Sequence, residues 1–322
     1  MQEKQFIYAV ARIRSHEMRL LDAPFIEQLM SAKNVHECLQ LLANKGWGRD
    51  GRKSPEQILD DEHKKAWDLI EELVDDMSAF DVFLLPNDYH NLKAAIKLVV
   101  SDASAAGHFI EHSTINPETI LEAVRKKDYS LLPEHMQAAA NEAYETVVQT
   151  GDGQLCDVII DKAAMETLYE ISKKQSNEVL RWHAEIELAA SNIKIAVRGQ
   201  ETGKDLQWIR NAMVACDSLD IEALAKAAAS SYEEIIEYLR KTDYAKGVDE
   251  LEHSLSNFEI WCKNWLIRKI QPQKYNQFTI GPLAAFLLAR ENEIKTVRMI
   301  LQGKLNQLPE EVIRERLRIM YV

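Results

Sequence analysis

Two histidines with a glutamate between them form the most suggestive catalytic pattern in the sequence. His108, Glu111 and His112 have the order His-x-x-Glu-His, which resembles the inverted zinc-binding motif of some metalloproteases. That chemistry needs a helix that presents both imidazoles to one metal ion, together with a third ligand. Gly107 precedes this stretch and residues 113–117 (Ser-Thr-Ile-Asn-Pro) follow it, so there is room for a short turn only. We expect a solvated linker and no metal site; a metallohydrolase is the alternative that rests on His108 and His112.

Other chemistry-bearing residues lack the neighbours that catalysis needs. Residues 48–54 (Gly-Arg-Asp-Gly-Arg-Lys-Ser) resemble a phosphate-binding loop, but the four-residue spacer before Gly-Lys is missing and a helix precedes them. His183 follows Trp182 on an Ala-rich segment without a visible pairing to Ser, Cys or an acid, so we interpret it as a packed core residue. The four cysteines lie far apart with no Cys-x-x-Cys pair, which favours reduced thiols. We predict no catalytic residue, no cofactor and no small-molecule substrate.

The elements that must position these residues are predicted to be helices. Only 11 of 322 residues are Gly and 8 are Pro, and the prevalence of Ala, Leu, Glu and Lys favours long helices over sheets. The apolar fraction of 46% is enough for a sizeable core. The apolar run at 283–289 (LAAFLLA) is far shorter than a membrane span. The sequence therefore predicts an all-α protein with no direct membrane span.

Charge is distributed unevenly along the chain. The formal net charge of −12 excludes nucleic acid as an expected partner, because phosphates repel such a surface. The two ends differ from this average: residues 1–55 contain 9 basic and 6 acidic side chains, and residues 261–322 contain 11 and 5. Residues 56–80 contain 9 acidic and 2 basic side chains. We interpret this acidic run as a solvated helix face, with contact to a basic partner as the alternative.

A seven-residue pattern occurs three times at intervals of about one hundred residues. Its copies are NLKAAIK (91–97), NIKIAVR (192–198) and NEIKTVR (292–298). Each copy begins with Asn and ends with Ile or Val followed by Lys or Arg, and the even spacing indicates three similar units. We place these units at 1–115, 116–216 and 217–322. The structural repeat positions are Asn91, Asn192, Asn292, Lys97, Arg198 and Arg298.

The helical wheel around Asn292 places this residue inside the protein. Ile294 and Val297 belong to one apolar stripe, whereas Ala285 and Leu288 lie on the opposite side, beside Asn292. A helix that is apolar on two sides is an inner helix, and a buried amide needs hydrogen-bond partners, most simply backbone groups at a neighbouring helix end. We therefore predict that the three asparagines are structural; an Asn on a solvated face is the alternative.

Helix boundaries are predicted where Gly, Pro, Asn and Ser gather. The predicted helices span residues 5–21, 23–31, 34–44, 55–80, 87–102, 117–126, 133–149, 155–175, 177–199, 203–216, 219–241, 247–270, 280–303 and 309–319.

Three longer segments resemble those of a known family. They are residues 8–22 (YAVARIRSHEMRLLD), 88–97 (DYHNLKAAIK) and 289–322 (ARENEIKTVRMILQGKLNQLPEEVIRERLRIMYV). These segments resemble the C-type subunit of bacterial and archaeal V/A-type ATPases, whose counterpart in the eukaryotic vacuolar enzyme is the d-type subunit. The similarity covers essentially the whole chain, and residues 289–322 are its most specific part. The resemblance implies three similar helical subdomains in a pseudo-threefold funnel, without catalytic residues or bound nucleotide.

The resemblance also implies a mechanical function. In this family the funnel sits on the cytoplasmic face of the membrane proteolipid ring, receives the tip of the central axle, which D- and F-type subunits form, and passes torque between them. We therefore expect a non-catalytic central-stalk subunit, cytoplasmic and peripheral to the membrane, that serves proton or sodium transport. A free-standing helical-repeat adaptor is the alternative, but it would favour a tandem array of short repeats with capping units.

The basic ends of the chain suggest where a partner docks. We expect residues 1–55 and 261–322 to lie next to each other and to form one positive sector opposite the acidic helix at 56–80. Arg314, Arg316 and Arg318 are the candidate partner contacts in this sector. Their contribution to affinity should fall as the salt concentration rises, because exposed charges are screened.

Overall fold

The computed structural model describes residues 6–48, 53–101 and 109–322, and all their regular secondary structure is helical. The prediction of an all-α protein is therefore confirmed. The α-helices of the described residues are α1 (Ile7–Glu17), α2 (Ala23–Ser31), α3 (Val35–Asn44), α4 (Pro55–Leu73), α5 (Asp81–Val100), α6 (Pro117–Lys126), α7 (Glu134–Thr150), α8 (Gly153–Lys174), α9 (Glu178–Glu201), α10 (Leu206–Ala212), α11 (Ile221–Ser230), α12 (Tyr232–Leu239), α13 (Val248–His253), α14 (Leu255–Ile270), α15 (Gly281–Leu305) and α16 (Glu310–Arg314). Short 3₁₀ segments lie at Met77–Phe80, Tyr129–Leu131, Ala245–Gly247 and Gln271–Tyr275.

The chain packs as two compact units. The terminal unit comprises Met1–Met77, Asn177–Val179 and Asp249–Val322, and the central unit comprises Ser78–Ser176 and Leu180–Val248. The two basic ends of the sequence thus belong to one unit, as expected. The division of the sequence into three repeat units, and their arrangement as a funnel, remain predictions.

The terminal unit is built around α15. Of its 25 residues, 18 are buried, and α1, α2, α3, α4, α14 and α16 pack against it. Ile294 and Val297 are buried on one side of α15, and Ala285 and Leu288 are buried on the other. The prediction that this helix is an inner helix is confirmed.

The acidic segment does not lie opposite the basic ends, so that expectation is wrong. Helix α4 carries most of the acidic run, yet it packs directly against α15. The physical reason is its apolar face, where Leu59, Trp67 and Ile70 are buried and need a hydrophobic partner. The other face carries the charges, and Arg298 of α15 donates to Glu56 at 3.0 Å.

The helix predicted at 55–80 ends early, and the helix predicted at 87–102 begins six residues early and contains a proline. Helix α4 ends at Leu73, and α5 begins at Asp81 and continues through Pro86. A proline lacks the N–H that would bond to the residue four positions earlier, but Pro86 lies within the second turn, so only one intrahelical bond is lost.

Serine residues divide two further predicted helices, at 219–241 and 247–270. Ser231 separates α11 from α12 and accepts the N–H of Glu234. Ser254 separates α13 from α14 and accepts the N–H of Asn257. Both serines have extended backbone angles and act as N-caps. The last predicted helix also ends early, because α16 stops at Arg314 and residues 317–322 are not helical.

The central unit has its best-defined core around α5, α6, α7 and α8. Buried residues of these helices form one apolar cluster, which includes Leu92, Ile120, Met136 and Ile160. Further along the same unit, α10 packs on α11 and α11 packs on α12. Asn91 lies on α5, within the cluster, and Asn192 lies on the long helix α9.

Candidate functional site

Asn91 is fully buried on α5, and its side-chain amide both donates a hydrogen bond to the backbone of Ile110 and accepts one from it. Its Nδ2 donates to the carbonyl oxygen of Ile110 at 2.9 Å, and the N–H of Ile110 donates to its Oδ1 at 2.8 Å. One turn earlier, Asn87 donates to the carbonyl oxygen of His112 at 2.7 Å. The side-chain amides of α5 thus hold the non-helical residues 109–115 along the helix.

A buried carboxylate completes this arrangement. Asp88 lies one turn before Asn91 and accepts the N–H of Thr114 at 2.9 Å, the hydroxyl of Thr114 at 2.5 Å and the N–H of Ile115 at 3.1 Å. Burial raises the pKa of Asp88 to about 6, although these hydrogen bonds act in the opposite direction. Sequence analysis missed Asp88; its position three residues before Asn91, on the same helix face, is the signal that would have found it.

Asn192 on α9 makes the same two-way bond. Its Nδ2 donates to the carbonyl oxygen of Val214 at 2.8 Å, and the N–H of Val214 donates to its Oδ1 at 3.0 Å. A carboxylate again lies earlier on the helix: Glu185 accepts the N–H groups of Asp217 and Ser218 at 3.1 and 2.8 Å. In both places the Asn holds the first part of the downstream segment and the carboxylate holds the later part. Each segment therefore runs antiparallel to its helix.

Asn292 on α15 holds a third downstream segment with a different set of bonds. Its Nδ2 donates to the carbonyl oxygen of Ile319 at 2.8 Å, but the N–H of Ile319 donates to Asn264 of α14 at 3.0 Å. The Oδ1 of Asn292 is buried and accepts no hydrogen bond from the described residues. We call the three arrangements, Asn91 with Ile110, Asn192 with Val214 and Asn292 with Ile319, the asparagine clamps.

Helical hairpins connect two of the asparagines to their partners. After α9, Gly203 adopts a left-handed backbone angle (φ 64°) and α10 returns; after α15, Gln307 does the same (φ 54°) and α16 returns. Gly199 and Gly303 allow the returning helices to approach closely, since a Cβ at Gly303 would lie 2.5 Å from Cγ1 of Ile313. The corresponding stretch after α5, residues 102–108, lies outside the described residues.

The basic residues that end the sequence repeats have different surroundings. Lys97 pairs with Asp157 at 2.8 Å, Arg298 pairs with Glu56, and Arg198 is exposed. These charges therefore make different contacts, unlike the buried asparagines at the other end of each repeat. Whether they superpose as equivalent positions remains a prediction.

The three C-terminal arginines are not equally available to a partner. Arg314 binds both carboxylate oxygens of Glu27, at 2.7 and 2.9 Å, and also Glu310 at 2.7 Å. These hydrogen bonds raise the pKa of Arg314. Arg316 is exposed and Arg318 is half-buried. Arg316 is therefore the clearest candidate for contact with another protein.

Two of the candidate catalytic residues, His112 and His183, lie in the described residues and make structural contacts. His112 lies in a non-helical stretch and its carbonyl oxygen accepts the bond from Asn87. The ring of His183 is 4.5 Å from that of Phe83, as expected of a packed residue. The sequence analysis saw no acidic partner, but Glu187, one turn later, lies 4.0 Å from the Nδ1 of His183. In the described ranges 6–48, 53–101 and 109–322, no group of three or more His, Cys, Asp or Glu side chains is arranged to hold a metal ion. His108 and residues 49–52 lie outside those ranges.

The fold and these sites define a class: a helical scaffold whose distinctive polar side chains hold backbone segments in place. The family model for the ATP synthase (C/AC39) subunit matches residues 9–316, and the chain belongs to this family. It is therefore a non-catalytic subunit of a V/A-type ATPase, a complex with other subunits. No α-helix within the described part of the chain has the length and hydropathy needed to cross a membrane.

Curated relatives match over nearly their whole length. The chain is 22% identical to the C-type subunit of the V-type sodium ATPase of Enterococcus hirae, in an alignment that covers 96% of this chain and 97% of the relative. It is also 22% identical to the C-type subunit of the A-type ATP synthase of Methanocaldococcus jannaschii, covering 97% of this chain and 86% of the relative. The corresponding A-type ATP synthase protein of Thermococcus kodakarensis matches at the same identity, over 96% and 89%.

Proposed function

We propose that this chain is the central-stalk socket of a rotary V/A-type ATPase, linking the central axle to the membrane proteolipid ring and transmitting torque for proton or sodium transport. The observation that carries this proposal is the match to the C/AC39 family over residues 9–316. The partners are the D- and F-type axle subunits and the proteolipid ring, and the chain works on the cytoplasmic face of the membrane. The name of the Enterococcus hirae relative specifies sodium for that complex, and we propose proton or sodium transport for the complex of this chain.

The asparagine clamps support a mechanical role. A torque-transmitting body must not let its elements slide past one another under load. Each clamp ties a long helix to a segment 19, 22 or 27 residues downstream of its Asn through buried hydrogen bonds. Sliding would leave buried backbone groups without partners, at about 1–3 kcal/mol for each group. The clamps therefore favour stiffness along α5, α9 and α15.

Reconstitution tests this proposal directly. The purified chain is mixed separately with purified axle subunits and with the purified ring, and binding is measured by pull-down. The complex lacking this subunit is then reconstituted in vesicles, and ATP-driven ion uptake is compared with and without the added chain. We expect binding to both partners and restored uptake. Binding to neither partner at low salt would reject the socket function and favour a free-standing adaptor.

A further inference from the structure

Several large apolar side chains are exposed on the terminal unit without a folding reason. Met18 is 88% exposed and Tyr275 is 86% exposed, and Phe278 and Ile7 are about half exposed. We call these four residues the α1 patch. Exposed apolar surface of this kind, when it is contiguous, is typical of a protein interaction site.

The members of the α1 patch lie on adjacent elements. Arg14 of α1 donates to the carbonyl oxygens of Gln273 and Asn276, both at 2.6 Å, which brings the loop after α14 against this helix. Met18 follows Arg14 by one turn, on the same helix face. Tyr275 lies between the two carbonyls that Arg14 binds. The loop that carries Tyr275 and Phe278 therefore lies against the face of α1 that carries Arg14 and Met18.

The loop is held rigidly before any partner arrives. Asn276 donates to the side-chain oxygen of Gln273 at 3.0 Å and to the hydroxyl of Thr279 at 2.8 Å, and it accepts the N–H of Phe278 at 3.1 Å. Gln273 is buried, and a Cβ at Gly281 would collide with it. Because the backbone of the loop is already ordered, binding through Tyr275 and Phe278 loses side-chain rotamer freedom but little backbone entropy.

The charge around the patch indicates what the partner must carry. Lys274 precedes Tyr275 and is partly exposed, and residues 261–290 contain no Asp or Glu. Arg290 does not contribute to this border, because it is buried in an ion pair with Glu293. On the α1 side, Arg19 is exposed next to Met18. Burial, together with the charges of Arg19 and Arg12, lowers the pKa of His16. An apolar surface with a positive border fits a partner that places carboxylates around apolar side chains.

We propose that the α1 patch docks an apolar protein segment flanked by carboxylates on another subunit of the ATPase. This inference rests on the proposed function and assigns residues to one of its contacts. Methionine and aromatic side chains are enriched in the cores of protein interfaces, and Met18, Tyr275 and Phe278 belong to these residue types. A protein partner is favoured because the proposed function places other subunits against this chain. An anionic lipid surface, which a positive border would also attract, is tested separately below.

The test compares two patch variants with a matched control. Tyr275→Ala/Phe278→Ala removes the exposed rings, and Arg19→Glu reverses a bordering charge. Val148→Ala/Leu155→Ala removes exposed apolar side chains from the central unit. Affinity for the axle and for the ring is measured separately for each full-length chain. We expect the double aromatic variant to bind one of the two partners at least about tenfold more weakly, while the control binds both normally.

Arg19→Glu adds a second readout. Its binding to the same partner should weaken at low salt, and the difference from wild type should narrow as salt rises. Circular dichroism and the urea midpoint of each variant establish that it is folded. If wild type binds its partners and the aromatic variant binds them equally well, the patch proposal is overturned while the proposed function stands. If wild type binds neither partner, the proposed function fails and the patch proposal fails with it.

A vesicle-binding experiment tests whether the α1 patch binds a membrane surface and not a protein. Wild type and the aromatic variant are sedimented with vesicles of phosphatidylcholine containing anionic phosphatidylserine. We expect no difference between the two chains. A variant that loses vesicle binding but retains full affinity for axle and ring would assign the patch to the membrane surface instead.

Discussion

Asn292 donates to the backbone carbonyl of Ile319 at 2.8 Å, whereas the N–H of the same residue donates to Asn264 at 3.0 Å. In the clamp at Ile319, α15 therefore supplies the donor to the carbonyl and α14 supplies the acceptor for the N–H. In the other two clamps, one amide satisfies both backbone groups of its partner, as Asn192 does for Val214. This difference makes the three clamps unequal in what each asparagine contributes to stability.

Replacing Asn192 with leucine should destabilise the protein more than the same change at Asn292. Asn192→Leu leaves both the N–H and the carbonyl of Val214 buried without partners, at a cost of about 1–3 kcal/mol for each group. Asn292→Leu orphans only the carbonyl of Ile319 and removes a buried amide oxygen that accepts no hydrogen bond from the described residues. Urea unfolding measures both, with Asn141→Leu on an exposed position of α7 as control. Equal losses of unfolding free energy in the Asn192, Asn292 and Asn141 variants would contradict the clamp interpretation.

Asp88 should make stability depend on pH in a defined window. Its pKa is raised from 3.8 to about 6 in the folded chain, so the folded state binds the proton more tightly than the unfolded state. This contribution is fully present below about pH 3.8 and is lost as the pH rises through 6. The free energy of unfolding of wild type minus that of Asp88→Asn should therefore fall between about pH 3.8 and 6.

A second variant tests the pH effect by removing the hydroxyl of Thr114, which donates to Asp88. Thr114→Val removes a bond that lowers the pKa of the carboxyl, so the same loss of stability should extend to higher pH in that variant. A wild-type advantage over Asp88→Asn that grows with pH would show that the hydrogen bonds outweigh burial.

The sequence predicted the clamps in part. The repeat identified Asn91, Asn192 and Asn292. The helical wheel around Asn292 predicted the burial of that residue, because 3.6-residue periodicity reports which helix face is apolar, and the repeat extended this prediction to the other two. The partners were not predictable. Ile110 and Val214 lie at different distances downstream of their asparagines, and periodicity carries no information on where a non-helical segment returns.

Proline and serine positions did not give the helix boundaries correctly. Pro86 belongs to the residue type that ends helices, but it falls where α5 loses only one hydrogen bond. Ser231 lies within a helix predicted from the sequence, yet its hydroxyl caps a new helix. The bond from Arg14 to the loop at Gln273 joins residues 259 positions apart. Such contacts follow from tertiary packing, and no short sequence pattern encodes them.

Gly303 should resist substitution because α16 packs against it. Gly303→Ala gains helix propensity, about 1 kcal/mol, but its Cβ would lie 2.5 and 2.6 Å from Cγ1 and Cδ1 of Ile313. We expect a net loss of about 1–2 kcal/mol, measured by urea unfolding. Ile313→Val removes the terminal methyl and should recover part of this loss in the double variant. Gly153→Ala, which meets nothing within 4 Å, is the control and should not destabilise.

Tyr321 should stabilise the terminal unit through its ring and not through its hydroxyl. The side chain is buried, Lys274 lies 4.8 Å from the ring centroid, and the hydroxyl reaches Glu17 only at 3.5 Å. We expect Tyr321→Ala to cost about 3 kcal/mol and Tyr321→Phe less than about 1 kcal/mol. Urea unfolding of both variants checks this, and Tyr275→Ala, at an exposed tyrosine, should change nothing. A large loss for Tyr321→Phe would assign the effect to the interactions of the hydroxyl with Glu17 and Arg14.

Charge reversal at Arg316 should test the positive sector without disturbing the fold. Arg314 already binds Glu27 and Glu310, so reversing it would place a carboxylate among carboxylates and confuse local repulsion with loss of docking. Arg316 is exposed, and Arg316→Glu should lower affinity for one docking partner at low salt, with the difference disappearing as exposed charges are screened. Arg125→Glu, an equal charge change on exposed α6 of the central unit, is the matched control. Binding of Arg316→Glu and Arg125→Glu to axle and ring is compared at two salt concentrations. If the two variants bind alike at both, the excess of basic residues at 261–322 has no docking role at Arg316.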